Sequence, residues 1–213
     1  MTPASAIRGL YAITPDCADT GLLLSQAGQA LAGGARILQY RNKSADAALR
    51  LTQANALREL TRKFPAIFIV NDDVQLAMQA DADGVHLGAE DGGLKNARAL
   101  LGKNKILGAS CYNRTSLAKE AVASGADYVA FGAFFPSGVK PGAVKAGVEL
   151  LREARAELAV PLVAIGGITP RNAAPLLEAG ADALAVISAL FDADDIAAAA
   201  CNFSKLFIQE PSS

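Results

Sequence analysis

The chain has no excess of charge of either sign. Its 20 Lys and Arg against 21 Asp and Glu leave a formal net charge of −1, so there is no basic field to gather nucleic acid and no polybasic patch for an anionic lipid surface. Any anion it binds must be held by a few local side chains. Cysteine is sparse as well: Cys17, Cys111 and Cys201 lie far apart without metal spacing, and an odd number argues against a disulfide framework. A reducing cytoplasm is the expected location. No apolar segment approaches the roughly 18 residues of a membrane span, and the first residues do not read as a charged start, an apolar run and a cleavage site. A soluble, unprocessed protein is expected. Aromatics make up only 6% of the residues and histidine occurs once, as His86. No linker or low-complexity stretch interrupts the chain, which reads as one domain over 1–208 with a loose tail at 209–213.

What the chain does have is Ala, Val, Leu and Ile. Apolar residues make up 52%, the composition of helices packed on parallel strands. Short Val- and Ile-rich runs alternate with longer segments of helical spacing, and eight such pairs can be counted. The strand candidates are Gly9 to Thr14, Ala35 to Tyr40, Ala66 to Asn71, Gly84 to Leu87, Ile106 to Ser110, Tyr128 to Gly132, Pro161 to Ile165 and Ala183 to Ile187. The clearest helix candidate is Ser44 to Lys63, with Ala47, Leu51, Ala54, Leu57 and Leu60 at intervals of three or four behind a Ser cap. Strict alternation implies a parallel sheet with right-handed crossovers, and eight units in about 200 to 250 residues suit a single (β/α)8 TIM barrel. An open flavodoxin-like or dinucleotide-binding sheet is the rival, but it normally uses fewer strands and no GxGxxG follows the first one. The repeated phrases Gly33-Gly34-Ala35, Asp81-Ala82-Asp83-Gly84, Gly125-Ala126-Asp127 and Gly180-Ala181-Asp182 fall between helix and strand. They are assigned to stability, Gly as a left-handed helix stop and Asp as a tight-turn residue.

In such a fold ligands gather at the carboxyl ends of the strands. The second strand ends in Gln39-Tyr40-Arg41-Asn42-Lys43, where alternation would put Gln39, Arg41 and Lys43 on one face. Two cations there call for an anion. The third ends in Asn71-Asp72-Asp73, of which Asp73 suits a helix cap, and the fourth runs on to Glu90-Asp91. Carboxylates on adjacent loops beside cations suit a Mg²⁺ shared with a diphosphate, which makes Asp72 and Asp91 the expected metal ligands, although Asp91 could equally cap the next helix. Ser110 offers a hydroxyl after the fifth strand, with no nucleophile elbow and no histidine nearby in sequence. His86 and Cys111 read as structural. After the sixth strand a long segment through Phe134 to Gly142 carries Ser137 and a third cation, Lys140, and has the composition of a closing loop. Gly166-Gly167 after the seventh strand and Ser188 after the eighth would present backbone N–H groups to a second phosphate.

These motifs, taken with Asp83 to Gly88, Ala164 to Ile168 and Val186 to Ala189, resemble in order those of the thiamine phosphate synthases, over Gly9 to Leu190. The resemblance implies a Mg²⁺-dependent barrel that joins 4-amino-2-methyl-5-hydroxymethylpyrimidine diphosphate to a thiazole phosphate, releasing diphosphate. It implies that the Gln39 to Lys43 run, Tyr40 and Asn42 included, holds the pyrimidine diphosphate together with Asn71, Ser110 and Lys140. Arg41, Lys43, Ser110 and Lys140 would act in catalysis, with Asp72 and Asp91 on the metal. Ser137, Gly138, Val139, Gly167, Ile187 and Ser188 would hold the thiazole phosphate. Val139 stands where the family commonly has a hydroxyl, Ala89 where Gln is frequent, and Cys111-Tyr112 where a small residue and His are common. A thiazole tautomerase-like isomerase and a non-catalytic phosphate sensor are the rival readings. The partners are small-molecule substrates, with the oligomeric state, a homo-oligomer included, left open.

Overall fold

The computed structural model describes residues 6–88, 93–136 and 145–208. In chain order the elements are β1 (Gly9–Ile13), α1 (Thr20–Ala32), β2 (Ile37–Tyr40), α2 (Ala47–Thr61), β3 (Ile67–Asn71), α3 (Val74–Gln79), β4 (Gly84–Gly88) and α4 (Leu94–Leu101). The second half adds β5 (Ile106–Tyr112), α5 (Thr115–Ala123), β6 (Tyr128–Phe131), α6 (Val148–Glu157), β7 (Leu162–Ile165), α7 (Ala174–Glu178), β8 (Ala183–Val186), α8 (Ser188–Phe191) and α9 (Ile196–Lys205). All neighbouring strands are parallel and β8 pairs with β1, closing the barrel. The eight expected strands are the eight observed. No helix among the described residues is long and apolar enough to cross a membrane, and the expected tail at 209–213 lies outside the described residues.

Two-residue alternation sorts every strand into two cores. Tyr11, Ile13, Ile37, Ile69, Ile106, Tyr128, Val163 and Ala185 fill the barrel interior. Leu10, Ala12, Leu38, Phe68, Val85, Leu107, Val129, Leu162 and Leu184 point outward into a layer shared with the helices. Cys111 faces that outer layer with no exposed surface, and burial pushes its thiol up to about 12, so it packs and does not react. The helix expected from Ser44 starts later, because Asp46 rather than Ser44 supplies the cap, accepting from Leu49 N at 2.8 Å. Ser44 instead donates to Asn42 Oδ1 at 3.0 Å.

The amino-terminal end of the barrel explains the repeated Gly/Asp-Ala-Asp phrases. Gly125 and Gly180 stop their helices at φ 98° and 103°, and Asp81 takes the same place at φ 49°. The aspartates two residues later are clamps. Asp83 accepts Phe68 N at 2.8 Å and both terminal nitrogens of Arg58 at 3.0 Å. Asp127 accepts Leu107 N at 2.7 Å and the Arg98 guanidinium, and Asp182 accepts Leu162 N and the Arg155 guanidinium at 2.8 and 2.7 Å. Each therefore ties an even-numbered helix to the following strand pair, leaving the opposite mouth free for ligand.

Candidate active site

At the carboxyl mouth the inward positions of the strands leave a cavity of about 550 Å³. Ile13, Ala130, Val163, Ile165, Ala185 and Ile187 give it apolar walls, and Tyr11, Gln39, Arg41, Asn71, His86, Ser110 and Ser188 give it polar points. Such a mixture suits a largely apolar ring system fixed by a few hydrogen bonds. A second, more polar pocket of about 360 Å³ is lined by Tyr40, Asn42, Lys43, Arg50, Asn71 and Asp72. Asn71 borders both.

Gln39 and Arg41 share the larger cavity as alternation requires, but Lys43 does not join them: it lines the smaller pocket with Tyr40 and Asn42. The expected common face ends because strand pairing ends at Tyr40 and the chain bends from Lys43. Thr14, fully buried, brackets Arg41 by accepting Arg41 N at 2.9 Å and donating to Arg41 O at 3.0 Å. Asp16 accepts from the Arg41 guanidinium at 2.9 Å and from Lys43 N at 3.0 Å. Tyr40 and Asn42 turn their side chains to buried Gln53: Tyr40 Oη donates to Gln53 Oε1 at 2.8 Å and Asn42 Nδ2 to the same atom at 3.0 Å. Burial pushes the Tyr40 phenol up to about 12. Lys43 Nζ reaches Asp72 Oδ2 at 3.4 Å, and Asn71 Nδ2 donates to the same oxygen at 2.7 Å. Asp73 caps α3 as expected, accepting Leu76 N at 2.9 Å, and also pairs with Arg50 at 3.3 Å.

The polar points of the larger cavity are joined. Gln39 Nε2 donates to Tyr11 Oη at 2.7 Å, and the Tyr11 and Tyr128 hydroxyls lie 2.8 Å apart. Tyr128 Oη is 2.9 Å from His86 Nδ1, and His86 Nε2 is 2.8 Å from Ser110 Oγ. His86 is therefore a satisfied histidine near the rim, as expected, but it is also part of the site. The absence of a nearby histidine in sequence misled at Ser110, because β4 and β5 run side by side with Gly88 opposite Ser110. Burial raises the pKa of both Tyr11 and Tyr128 above the ordinary phenol value.

Gly166 and Gly167, at φ 103° and 59°, line the same cavity with Ile187 and Ser188. Close approach is a second reason for glycine here. A Cβ on Gly166 would lie 2.4 Å from Ala133 Cβ, and one on Gly167 would lie 2.3 Å from Pro136 O. The segment after β6 thus packs directly on the glycine pair, with Phe135 N donating to Gly166 O at 3.0 Å. Asp91, Ser137, Gly138, Val139 and Lys140, and with them most of the expected closing loop, lie outside the described residues.

Sequence reasoning did not find Tyr11, Tyr128, Asp16 or Arg50. Each had a weak signal: Tyr11 carries a hydroxyl in the middle of an otherwise apolar strand and Tyr128 one at the start of another, Asp16 follows Thr14-Pro15 at a strand end, and Arg50 lies on a helix. For a divalent cation the structure offers Asp72, half-exposed, beside the polar pocket. Among the described residues no group of three or more His, Cys, Asp or Glu could hold a metal. A single carboxylate of this kind fits Mg²⁺, which is commonly shared between one or two protein carboxylates and phosphate oxygens.

Comparison with known proteins gives a consistent picture. The sequence profile of thiamine monophosphate synthase matches residues 10–190. The chain is 54% identical over 203 residues to the thiamine-phosphate synthase of Thiobacillus denitrificans, covering 95% of this chain and 96% of that one. It is 57% identical over 201 residues to the thiamine-phosphate synthase of Methylobacillus flagellatus, covering 94% and 96%. Among solved structures, a thiamine phosphate pyrophosphorylase from Pyrococcus furiosus superposes with a TM-score of 0.83 at 38% identity, covering 93% of this chain and 94% of that one.

Proposed function

The chain belongs to the thiamine monophosphate synthase family, and from that membership we propose the reaction and the residues that perform it. The enzyme condenses 4-amino-2-methyl-5-hydroxymethylpyrimidine diphosphate with 4-methyl-5-(2-hydroxyethyl)thiazole phosphate, or its carboxylated form, to give thiamine phosphate and diphosphate. The observation that carries the assignment of residues is the pair of cavities meeting at Asn71, one mostly apolar and one polar with Lys43 and Arg50 in its wall. Rings belong in the first and the departing diphosphate at the boundary with the second.

When the carbon–oxygen bond to diphosphate lengthens, negative charge grows on the departing oxygens. Arg41, Lys43 and Lys140 stabilise that charge more in the transition state than in the substrate. Asp16 holds the Arg41 guanidinium and the Lys43 backbone, so the first cation and the main chain that carries the second are set before substrate arrives. Asp72 with Asp91 would hold Mg²⁺, which supplies further positive charge beside the diphosphate. The aminopyrimidine shares the charge left on carbon, and the thiazole nitrogen captures it. No protein nucleophile is needed. Ser137, Gly138, Val139, Gly167, Ile187 and Ser188 hold the thiazole phosphate, with Gln39 and Ser110 on the pyrimidine partner. A cytoplasmic location accords with three free cysteines.

The test is release of diphosphate from the two substrates, with Mg²⁺ and then with EDTA. Release that needs both substrates and stops with EDTA is expected. A tautomerase or a phosphate sensor gives no diphosphate. Lys140→Ala should slow the single-turnover step more than it weakens substrate binding, and an unchanged single-turnover rate contradicts that role.

A further inference from the structure

Ser110 Oγ and His86 Nε2, 2.8 Å apart, have the separation of a hydrolase nucleophile and its base. What stands behind the imidazole reverses that reading. In a Ser-His-Asp triad a carboxylate accepts from Nδ1–H, which leaves Nε2 bare to take the serine proton. Here the group at Nδ1 is the Tyr128 hydroxyl, and a phenol can give a proton as well as accept one. Its direction is set two residues away. Gln39 Nε2 donates to Tyr11 Oη, and Tyr11 has only its own proton to pass on, towards Tyr128. Tyr128 then has only one proton to give and, among the described residues, one neighbour left to receive it, His86 Nδ1. The imidazole hydrogen is thereby placed on Nε2, facing Ser110.

We propose that Tyr11, Tyr128 and His86 are positioning residues that hold His86 as its Nε2–H tautomer, so that Ser110 accepts from His86 and donates its own proton to an acceptor atom of the pyrimidine diphosphate. The same relay fixes the far end. With its NH₂ committed to Tyr11, Gln39 keeps its amide oxygen for the cavity, where the exocyclic amino group of an aminopyrimidine is a donor. One end of the relay accepts from the ligand and the other donates to it, and neither can change sense alone. His86 is no base towards Ser110, which accords with a reaction that needs no serine nucleophile. The identity of the ligand rests on the function proposed above, whereas the direction of the relay does not.

The packing is built for this arrangement. Gly108 lies opposite both His86 and Tyr128 in the sheet. A Cβ there would sit 2.1 Å from Tyr128 Cζ and 2.3 Å from its Oη. The missing side chain is what lets the Tyr128 ring cross β5 to reach His86, their ring centres 5.5 Å apart. Burial keeps both phenols protonated, as one-proton relays require.

Because His86 is the only histidine, an untagged ¹⁵N-labelled chain gives a single pair of imidazole nitrogen signals. Long-range proton–nitrogen correlation at about pH 8, where an ordinary imidazole is neutral, should show the Nε2–H pattern. The Nδ1–H pattern, or an average of the two, overturns the proposal without any variant being made. In Tyr128→Phe the bias should relax to a mixture and kcat for diphosphate release should fall about tenfold, the usual effect of one lost buried hydrogen bond, with KM for the pyrimidine diphosphate moving less. Either a retained Nε2–H pattern or an unchanged kcat in that variant overturns it. A parent chain that shows the Nε2–H pattern yet releases no diphosphate would instead count against the proposed function and leave the relay standing.

Discussion

Asp72 shows how one position can be specified twice. Its backbone lies at φ 61°, a conformation Asp and Asn tolerate better than most residues, and its carboxylate meets both Lys43 and Asn71. Asp72→Asn keeps the backbone preference and removes only the charge. It should leave stability within about 0.5 kcal/mol by urea unfolding while diphosphate release falls on the order of a hundredfold and needs more Mg²⁺ for half-maximal rate. A variant with parental activity would remove Asp72 from the site. The place of Asp72 at the rim, beside the polar pocket, was legible because a carboxylate directly after an apolar strand stands out. Asp16 was not, since its value lies in where the Arg41 guanidinium turns, and side-chain direction past a strand end is not written in the two-residue period. His86 was legible as satisfied but not as part of the cavity, because its contact with Ser110 crosses between strands.

The helix-to-strand turns carry a different lesson. Their repeated phrase was readable as a stability motif, but its partners Arg58, Arg98 and Arg155 sit on helices far off in sequence, and only the barrel's winding brings them back. Asp83→Ala leaves Phe68 N–H and a mostly buried guanidinium without their acceptor. The expected loss is about 1–3 kcal/mol, read as a fall in Tm of about 2–4 °C per kcal/mol in a chain of this size, with kcat unchanged. A Tm equal to that of the parent would show the clamp to be ornamental. The strands themselves were found to within two residues at each end because Val- and Ile-rich runs between Ala-rich helices leave little ambiguity of period. The start of α2 was misplaced by two or three residues, since Ser44 and Asp46 are both good caps and the choice between them depends on Asn42.

The barrel as a whole buries three of its four tyrosines, and this sets its behaviour in alkali. Tyr11, Tyr40 and Tyr128 all have pKa values raised by burial, that of Tyr40 to about 12. A group whose folded pKa lies above its unfolded value contributes stability that is intact below the unfolded pKa and is lost as pH rises through the folded one. For Tyr40 that window opens near the ordinary phenol value of about 10 and closes near 12. The two interior tyrosines extend the effect to higher pH. Calorimetry should show a level Tm up to about pH 9 and a steep fall beyond about pH 10, with Tyr40→Phe shallower than the parent. A profile that stays flat through that range would contradict the assignment.

The clamps gather at one end of the cylinder and the ligand-facing groups at the other, with the apolar interior between them and no shared hydrogen-bond partner among those described. Changes at the two ends should therefore add, as they do for distant sites without common partners. A lineage built on this plan can rework what enters its mouth while its base stays rigid. An engineer can likewise harden the base with further Arg-Asp ties and leave turnover where it was.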